Sequence, residues 1–173
     1  KRAVLAAGAL ERPIAFVNND RPGIMTAGAV RAYVNRWCVA PGRSVAVFGN
    51  NSDAHRTAAD LLEAGVHASA LIDARAEATC DLDVPFHAGA QVVNSSGRKG
   101  LEEVRVETAG GREKIKAECL AVSGGWNPTV HLTCHMNGRP TWNEGLAAFV
   151  PTPGSVPGLG VAGSAAGRME TGP

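Results

Sequence analysis

The 173-residue chain has no CxxC pair: Cys38, Cys80, Cys119 and Cys134 stand far apart. That spacing excludes a zinc ribbon and a thioredoxin-type redox motif, and makes buried, reduced thiols the expectation. Net charge is also nearly absent, at +1. With no long-range field to gather DNA, RNA or an anionic membrane, neither nucleic acid nor a membrane is an expected partner. No apolar run approaches the roughly 20 residues of a membrane span, and the apolar part of Lys1–Gly8 is too short for a secretory signal. These absences point to the cytoplasm. Neither Ser123 nor Ser164 lies in a GxSxG elbow, so the signal for a serine hydrolase is missing. There is no initiator methionine, and the chain opens in a β-like run that needs partner strands, so it reads as an excerpt from a longer polypeptide.

What is present, 45% hydrophobic and 19% charged residues, suits a soluble globular chain, and its length suits one core of ordinary size or one compact domain with pieces of a second attached. Val4–Ala7 reads as a short strand. From Thr26 to Trp37 the apolar positions Ala29, Val30, Tyr33, Val34 and Trp37 recur at helical intervals, predicting one buried helix face. Val45–Phe48 is the near-continuous apolar run of a strand buried in a parallel sheet. Ala74–Asp83 is polar, helix or loop. Gln91–Asn94 is a strand, and Leu101–Thr108, the Gly110-Gly111 turn and Lys114–Glu118 form a β-meander. Leu120–Ser123 is a further strand, after which Asn127 and Pro128 suit the N-cap and first position of a helix.

Val45–Asp73 carries the chemistry. It has the build of a dinucleotide-binding βαβ unit: a strand ending in Gly49, a helix closing at Gly65, and a second strand delivering Asp73, 24 residues after Gly49. That is near the spacing of a ribose-binding acid. The fingerprint GxGxxG has become Gly49-Asn50-Asn51-Ser52-Asp53-Ala54. Gly49 keeps the tight turn and Ala54 permits close helix packing, but Asn51 replaces the glycine that lets pyrophosphate approach. Asp53 in the first helical turn would repel a phosphate. Two readings stay open, a nucleotide-binding turn or a fold-only remnant; likewise Asp73 is either a ribose acid or a solvated strand end. Arg75 nearby weakens any choice between NAD and NADP.

His131, Cys134 and His135 fall at i, i+3 and i+4, a spacing compatible with a metal, but no fourth ligand accompanies them and a partly buried polar helix face is the simpler expectation. Trp126 and Trp142 are expected to pack in a core or an interface.

The segments AAGALERP, AVSGGWNPTVHL and VPGLGVAGSAAG occur in the order found in two-dinucleotide-fold flavoprotein disulfide reductases. More narrowly, RPIAFVNNDRPGIMTAGAVRAYVNR with AVSGGWNPTVHL resembles the α subunits of heterotetrameric sarcosine oxidases across nearly the whole chain. The resemblance implies an α/β, Rossmann-like FAD/NAD(P)-binding fold with a β-meander. Its expected parts are an edge of an outer dinucleotide domain over 1–16, an inserted NAD-type domain over 17–120, and a return to the outer domain over 121–173. It further implies an oxidoreductase that demethylates sarcosine with O2, giving glycine and hydrogen peroxide, with tetrahydrofolate accepting the one-carbon unit.

In that family the α subunit binds NAD, and the flavins FAD and FMN belong mainly to other subunits, which are the implied partners. No catalytic acid, base or nucleophile is expected here. Carried over by position, Ala7-Gly8-Ala9 matches the first outer turn, Ser123-Gly124-Gly125 the second, and Gly163-Ser164 a GD segment whose acid is replaced by Ser164. The glycine-rich first turn of the outer domain would lie upstream of Lys1. The cofactor-binding expectation is therefore Ala7, Gly8, Gly49, Asn51, Asp73, Gly124, Gly125, Gly163 and Ser164, with no metal. The alternatives are a degenerate Rossmann scaffold for subunit assembly, and part of an NAD(P)H-dependent flavin reductase, which would need a CxxC or a flavin-contacting acid that the chain lacks.

Overall fold

The computed structural model describes residues 1–169. In chain order the first elements are β1 (Ala3–Leu5), β2 (Ala9–Glu11), β3 (Ile24–Thr26) and α1 (Ala27–Trp37). The βαβ unit is β4 (Val45–Gly49), α2 (Ser52–Glu63) and β5 (Ala68–Asp73). β6 (Phe86–Ala88) leads to a meander of β7 (Gln91–Ser96), β8 (Glu103–Thr108) and β9 (Gly111–Lys116). β10 (Cys119–Ser123), β11 (Trp126–Pro128), α3 (His131–Cys134), β12 (Pro140–Asn143), β13 (Ala148–Pro151) and β14 (Leu159–Val161) complete the strands and helices, followed by a 3-10 turn at Gly163–Ala166.

The chain divides into two compact units, one formed by Pro13–Gly125 and the other by Lys1–Arg12 with the chain from Trp126 onward. In the inner unit five parallel strands run in the order β3-β10-β4-β5-β6. Alternate residues of the central strands serve opposite faces, as the period of a strand requires. Val45, Val47, Leu71, Cys119 and Ala121 pack with Ala27, Val30 and Val34 of α1 and Ala54, Ala58 and Leu61 of α2. Ala46, Phe48, Ala70, Ile72, Leu120 and Val122 pack with Val92, Val104 and Val106 of the meander. Both faces are covered, which explains why these strands read as unbroken apolar runs.

The division differs from the expected boundaries at 16/17 and 120/121. β10 is paired on both sides, to β3 and to β4, so Cys119–Ser123 is a central strand of the inner sheet. Ile14 and Phe16 pack on the inner core and bring the earlier boundary forward. The unusual Asn18–Gly23 stretch is a clasp. Arg21 donates through Nε to Ser95 Oγ at 3.2 Å, Ser95 Oγ donates to Asn18 O at 2.6 Å, and Gly23, at φ +101°, lies where a Cβ would sit 2.6 Å from Glu118 O.

In the outer unit β1 pairs in parallel with β14, β2 antiparallel with β11, and β12 with β13 as a hairpin. The helix expected from Asn127 and Pro128 is corrected here: both lie in β11, opposite Leu10 and Ala9, because ladder pairing to β2 outweighs a local cap preference. α3 starts only at His131 and is four residues long. His131, Cys134 and His135 are all exposed, so the expected partly buried face is corrected too. Among the described residues no group of three or more His, Cys, Asp or Glu could hold a metal ion. Trp142 meets Phe149 edge to face across the hairpin at 5.2 Å. Ala74–Asp83 resolves to turns and loop.

The thiols also depart from expectation. All four are free, but only Cys119 is buried, and Cys38 and Cys134 are exposed. Burial pushes the Cys119 thiol up to about 12, which leaves it an inert core residue.

Candidate functional site

In a parallel α/β sheet, ligands are received beyond the carboxyl ends of the strands. Gly49, Asn51, Asp73 and Gly124 converge there in the inner unit, because β10, β4 and β5 are neighbours. Gly49 O accepts from Ala74 N at 2.9 Å, and Asn50 N donates to Ser123 O at 3.3 Å. Gly125 closes this edge at φ +90°.

Asn51 is the N-cap of α2. Its Oδ1 accepts from Asp53 N at 2.9 Å and from Ser123 Oγ at 3.1 Å. Its Nδ2 donates to Ser123 O at 3.0 Å. The side chain therefore does more than fill the phosphate position: it takes an N–H that a phosphate would need and ties the helix start to β10. Replacing Asn51 by Ala should cost about 1–2 kcal/mol, the usual worth of such a cap with a buried hydroxyl left short of a partner. Urea unfolding checks this, and a loss within about 0.3 kcal/mol would refute the capping role.

Asp73 is not a solvated strand end; its side chain is fully buried. Nor is it free to take two ribose hydroxyls. Oδ1 accepts from Arg75 N at 2.9 Å and from Arg75 Nε at 3.0 Å. Oδ2 accepts from Arg75 Nη2 at 2.7 Å and from His55 Nε2 at 2.7 Å. A carboxylate has about four lone-pair sites, and the chain itself uses all of them. Burial alone would push this carboxyl up, but the Arg75 side-chain and backbone bonds, then the His55 bond, outweigh it and hold the group below its ordinary 3.8. The same pairing with Asp73 raises Arg75 above the usual guanidinium range. His55 also meets Phe86 edge to face at 5.8 Å, which braces the ring whose Nε2 bonds the carboxylate.

An open cleft of about 510 Å³ lies beside this cluster, lined by Ser52, His55, Arg75, Glu77, Ala78 and Thr79. Arg75 and His55 form its wall and stand between it and Asp73. His55 was not singled out from the sequence, since a histidine in the first turns of a helix carries no local signal for a partner 18 residues away. Arg75 was visible as a charge near Asp73, but not as its bidentate partner.

Ala7, Gly8, Gly163 and Ser164 belong to the outer unit. Leu5 of β1 and Val161 of β14 are register partners, so the Ala7-Gly8 and Gly163-Ser164 turns both follow the carboxyl ends of adjacent parallel strands. Gly8 and Gly163 have φ of +76° and +65°, and an added Cβ on either would meet nothing within 4 Å. Gly8 O accepts from Thr129 N at 3.1 Å.

No protein-family model matches the chain. Over 167 residues, 95% of its length, it is 44% identical to the sarcosine oxidase subunit alpha of Rhizobium meliloti (strain 1021). Over this stretch the chain is similar to the sarcosine oxidase α subunits. They are subunits of an oxidoreductase, and the stretch spans 17% of the length of that relative. Among solved structures, L-proline dehydrogenase from P. horikoshii is similar over 95% of this chain and 30% of its own, with a TM-score of 0.73 and 26% identity. T. acidophilum thioredoxin reductase is similar over 94% of this chain and 56% of its own, with a TM-score of 0.72 and 15% identity, a likeness of fold alone. The Rossmann-like α/β reading of the sequence thus holds. Among the described residues no helix is long and apolar enough to cross a membrane.

Proposed function

We propose that this chain is the dinucleotide-fold section of the α subunit of a cytoplasmic, heterotetrameric sarcosine oxidase. The enzyme would oxidatively demethylate sarcosine with O2 to glycine and hydrogen peroxide, passing the one-carbon unit to tetrahydrofolate. Within that enzyme Pro13–Gly125 serves as a self-closed scaffold, and NAD is held by the outer unit at the Ala7-Gly8 and Gly163-Ser164 turns. The observation that carries this reading is the saturation of Asp73: a ribose could reach the carboxylate only by displacing Arg75 or His55. Asn51 supports it by occupying the helix N-terminus where pyrophosphate would bind.

The outer turns favour NAD on simpler grounds. Each follows a parallel strand, and main chain there is open to close approach. Ser164 keeps a hydroxyl able to donate to or accept from a ribose. FAD and FMN belong on this reading mainly to the other subunits.

The test uses the complete α polypeptide and measures NAD released on denaturation. The expected result is that Asn51→Gly and Asp73→Asn keep the wild-type NAD content, while Gly8→Val and Gly163→Val lose most of it. If Asp73→Asn empties the protein and the outer variants do not, the nucleotide sits in the inner unit and the scaffold reading is wrong.

A further inference from the structure

α1 carries more apolar surface than its sheet covers. The sequence pattern puts Val30, Tyr33, Val34 and Trp37 on one broad arc, yet only Ala27, Val30 and Val34 are buried. Trp37 is 56% exposed, Val39 46% and Tyr33 42%. A stray exposed apolar residue needs no explanation; three large ones fixed together at a helix end do.

Their arrangement is ordered. Tyr33 and Trp37 meet edge to face at 5.6 Å, and the Arg36 guanidinium lies 5.6 Å from the centre of the Trp37 ring. The helix closes with Cys38 N donating to Val34 O at 3.1 Å and Val39 N donating to Tyr33 O at 3.0 Å. This left-handed helix end draws Val39 back toward Tyr33. It does so with Cys38, not glycine, in the left-handed region at φ +52°, which costs a non-glycine residue some backbone strain. Trp, Tyr and Arg are the residues that dominate binding at protein interfaces, and holding them in place beforehand reduces the ordering cost of association. Arg36 forms no ion pair among the described residues beyond its place over Trp37, so the patch offers aromatic surface with a cation at its edge.

We propose that the C-terminal end of α1, Tyr33 to Val39, is the docking surface for another subunit of the enzyme, one presenting an apolar pocket with a carboxylate at its rim. The inference rests on the multi-subunit reading above, which the name of the relative, subunit alpha, supports. The carboxylate follows from charge complementarity to Arg36, and the pocket from the projecting Trp37 ring.

Two measurements on the complete enzyme test it. Hydrogen exchange of residues 33–39 is compared between the isolated α polypeptide and the assembled enzyme, with slowing of about tenfold or more expected on assembly. Subunit dissociation is then measured for Arg36→Glu with Trp37→Ala, expected to be weakened about tenfold or more, and for Trp37→Phe, expected to stay within about twofold of wild type. Normal assembly of the double variant, or full protection already in the isolated α polypeptide, overturns the docking surface while leaving the multi-subunit reading intact. An α polypeptide that assembles with no partner overturns both.

Discussion

Replacing Asp73 by Asn is expected to lower the stability of the protein by about 2–3 kcal/mol at neutral pH, with the difference shrinking in acid. Breaking a fully buried ion pair usually costs about 3–5 kcal/mol, because the abandoned partner stays charged and dry. Here the partner can escape: the Arg75 side chain is 42% exposed and can turn to water, which places the expected loss below that range. The pH dependence follows from the direction of the shift. The folded carboxyl lies below 3.8, so above that value both folded and unfolded chains are ionised and the contribution of Asp73 is complete. As the pH falls below 3.8 the unfolded chain takes up the proton first and stability is lost, until the folded carboxyl is protonated as well. Asn cannot titrate, so the variant lacks this limb and the two proteins converge in acid. Urea unfolding of both across the acid range measures it. A deficit of the same size at every pH would mean that Asp73 contributes packing and not charge, and would remove the argument that its carboxylate is committed to Arg75 and His55.

The sequence made the inner unit legible because its physics is local and periodic. Continuous apolar runs marked β4 and β10, alternation marked β8, and the helical arc marked α1, whose observed span is Ala27–Trp37. Which side of that arc faces the sheet was not legible, since periodicity fixes a face only to within the width of the apolar stripe. The outer unit was harder. Its strands are only three or four residues long, too short for a period to emerge, and β11 was masked by an Asn-Pro pair that also suits a helix start. At the candidate site Gly49, Asn51, Asp73 and Gly124 meet beyond the strand ends, but their occupation did not follow from spacing. Whether Asp73 is free depends on the rotamers of Arg75 and His55, and whether Asn51 blocks or caps depends on Ser123, 72 residues away. Those are tertiary facts, and they shift the reading of this turn toward a scaffold.

Gly49→Ala should destabilise the inner unit by about 1–3 kcal/mol, the cost of overpacking a core that cannot yield. The cause is close approach and not backbone freedom, since Gly49 is not among the glycines at positive φ. An added Cβ would stand 2.5 Å from the Ala54 Cβ and 3.0 Å from Ser123 O. Neither is the tip of a flexible side chain: Ala54 is buried in the first turn of α2, and Ser123 O is the end of a paired central strand. Relief needs α2 to lift from the sheet, which would loosen Asn51 from Ser123 and disturb the cap. Because the clash is chiefly with one methyl group, Ala54→Gly should rescue it. Ala54→Gly alone is expected to cost up to about 1 kcal/mol in a helix, yet combined with Gly49→Ala it should recover about 1 kcal/mol or more relative to additivity. A double-mutant cycle by urea unfolding gives that coupling directly. Strict additivity would mean that the Gly49–Ala54 contact is not what requires glycine there. A measured coupling would show that this position of the dinucleotide fingerprint is retained for strand-to-helix packing, a requirement that persists whether or not a nucleotide ever reaches the turn.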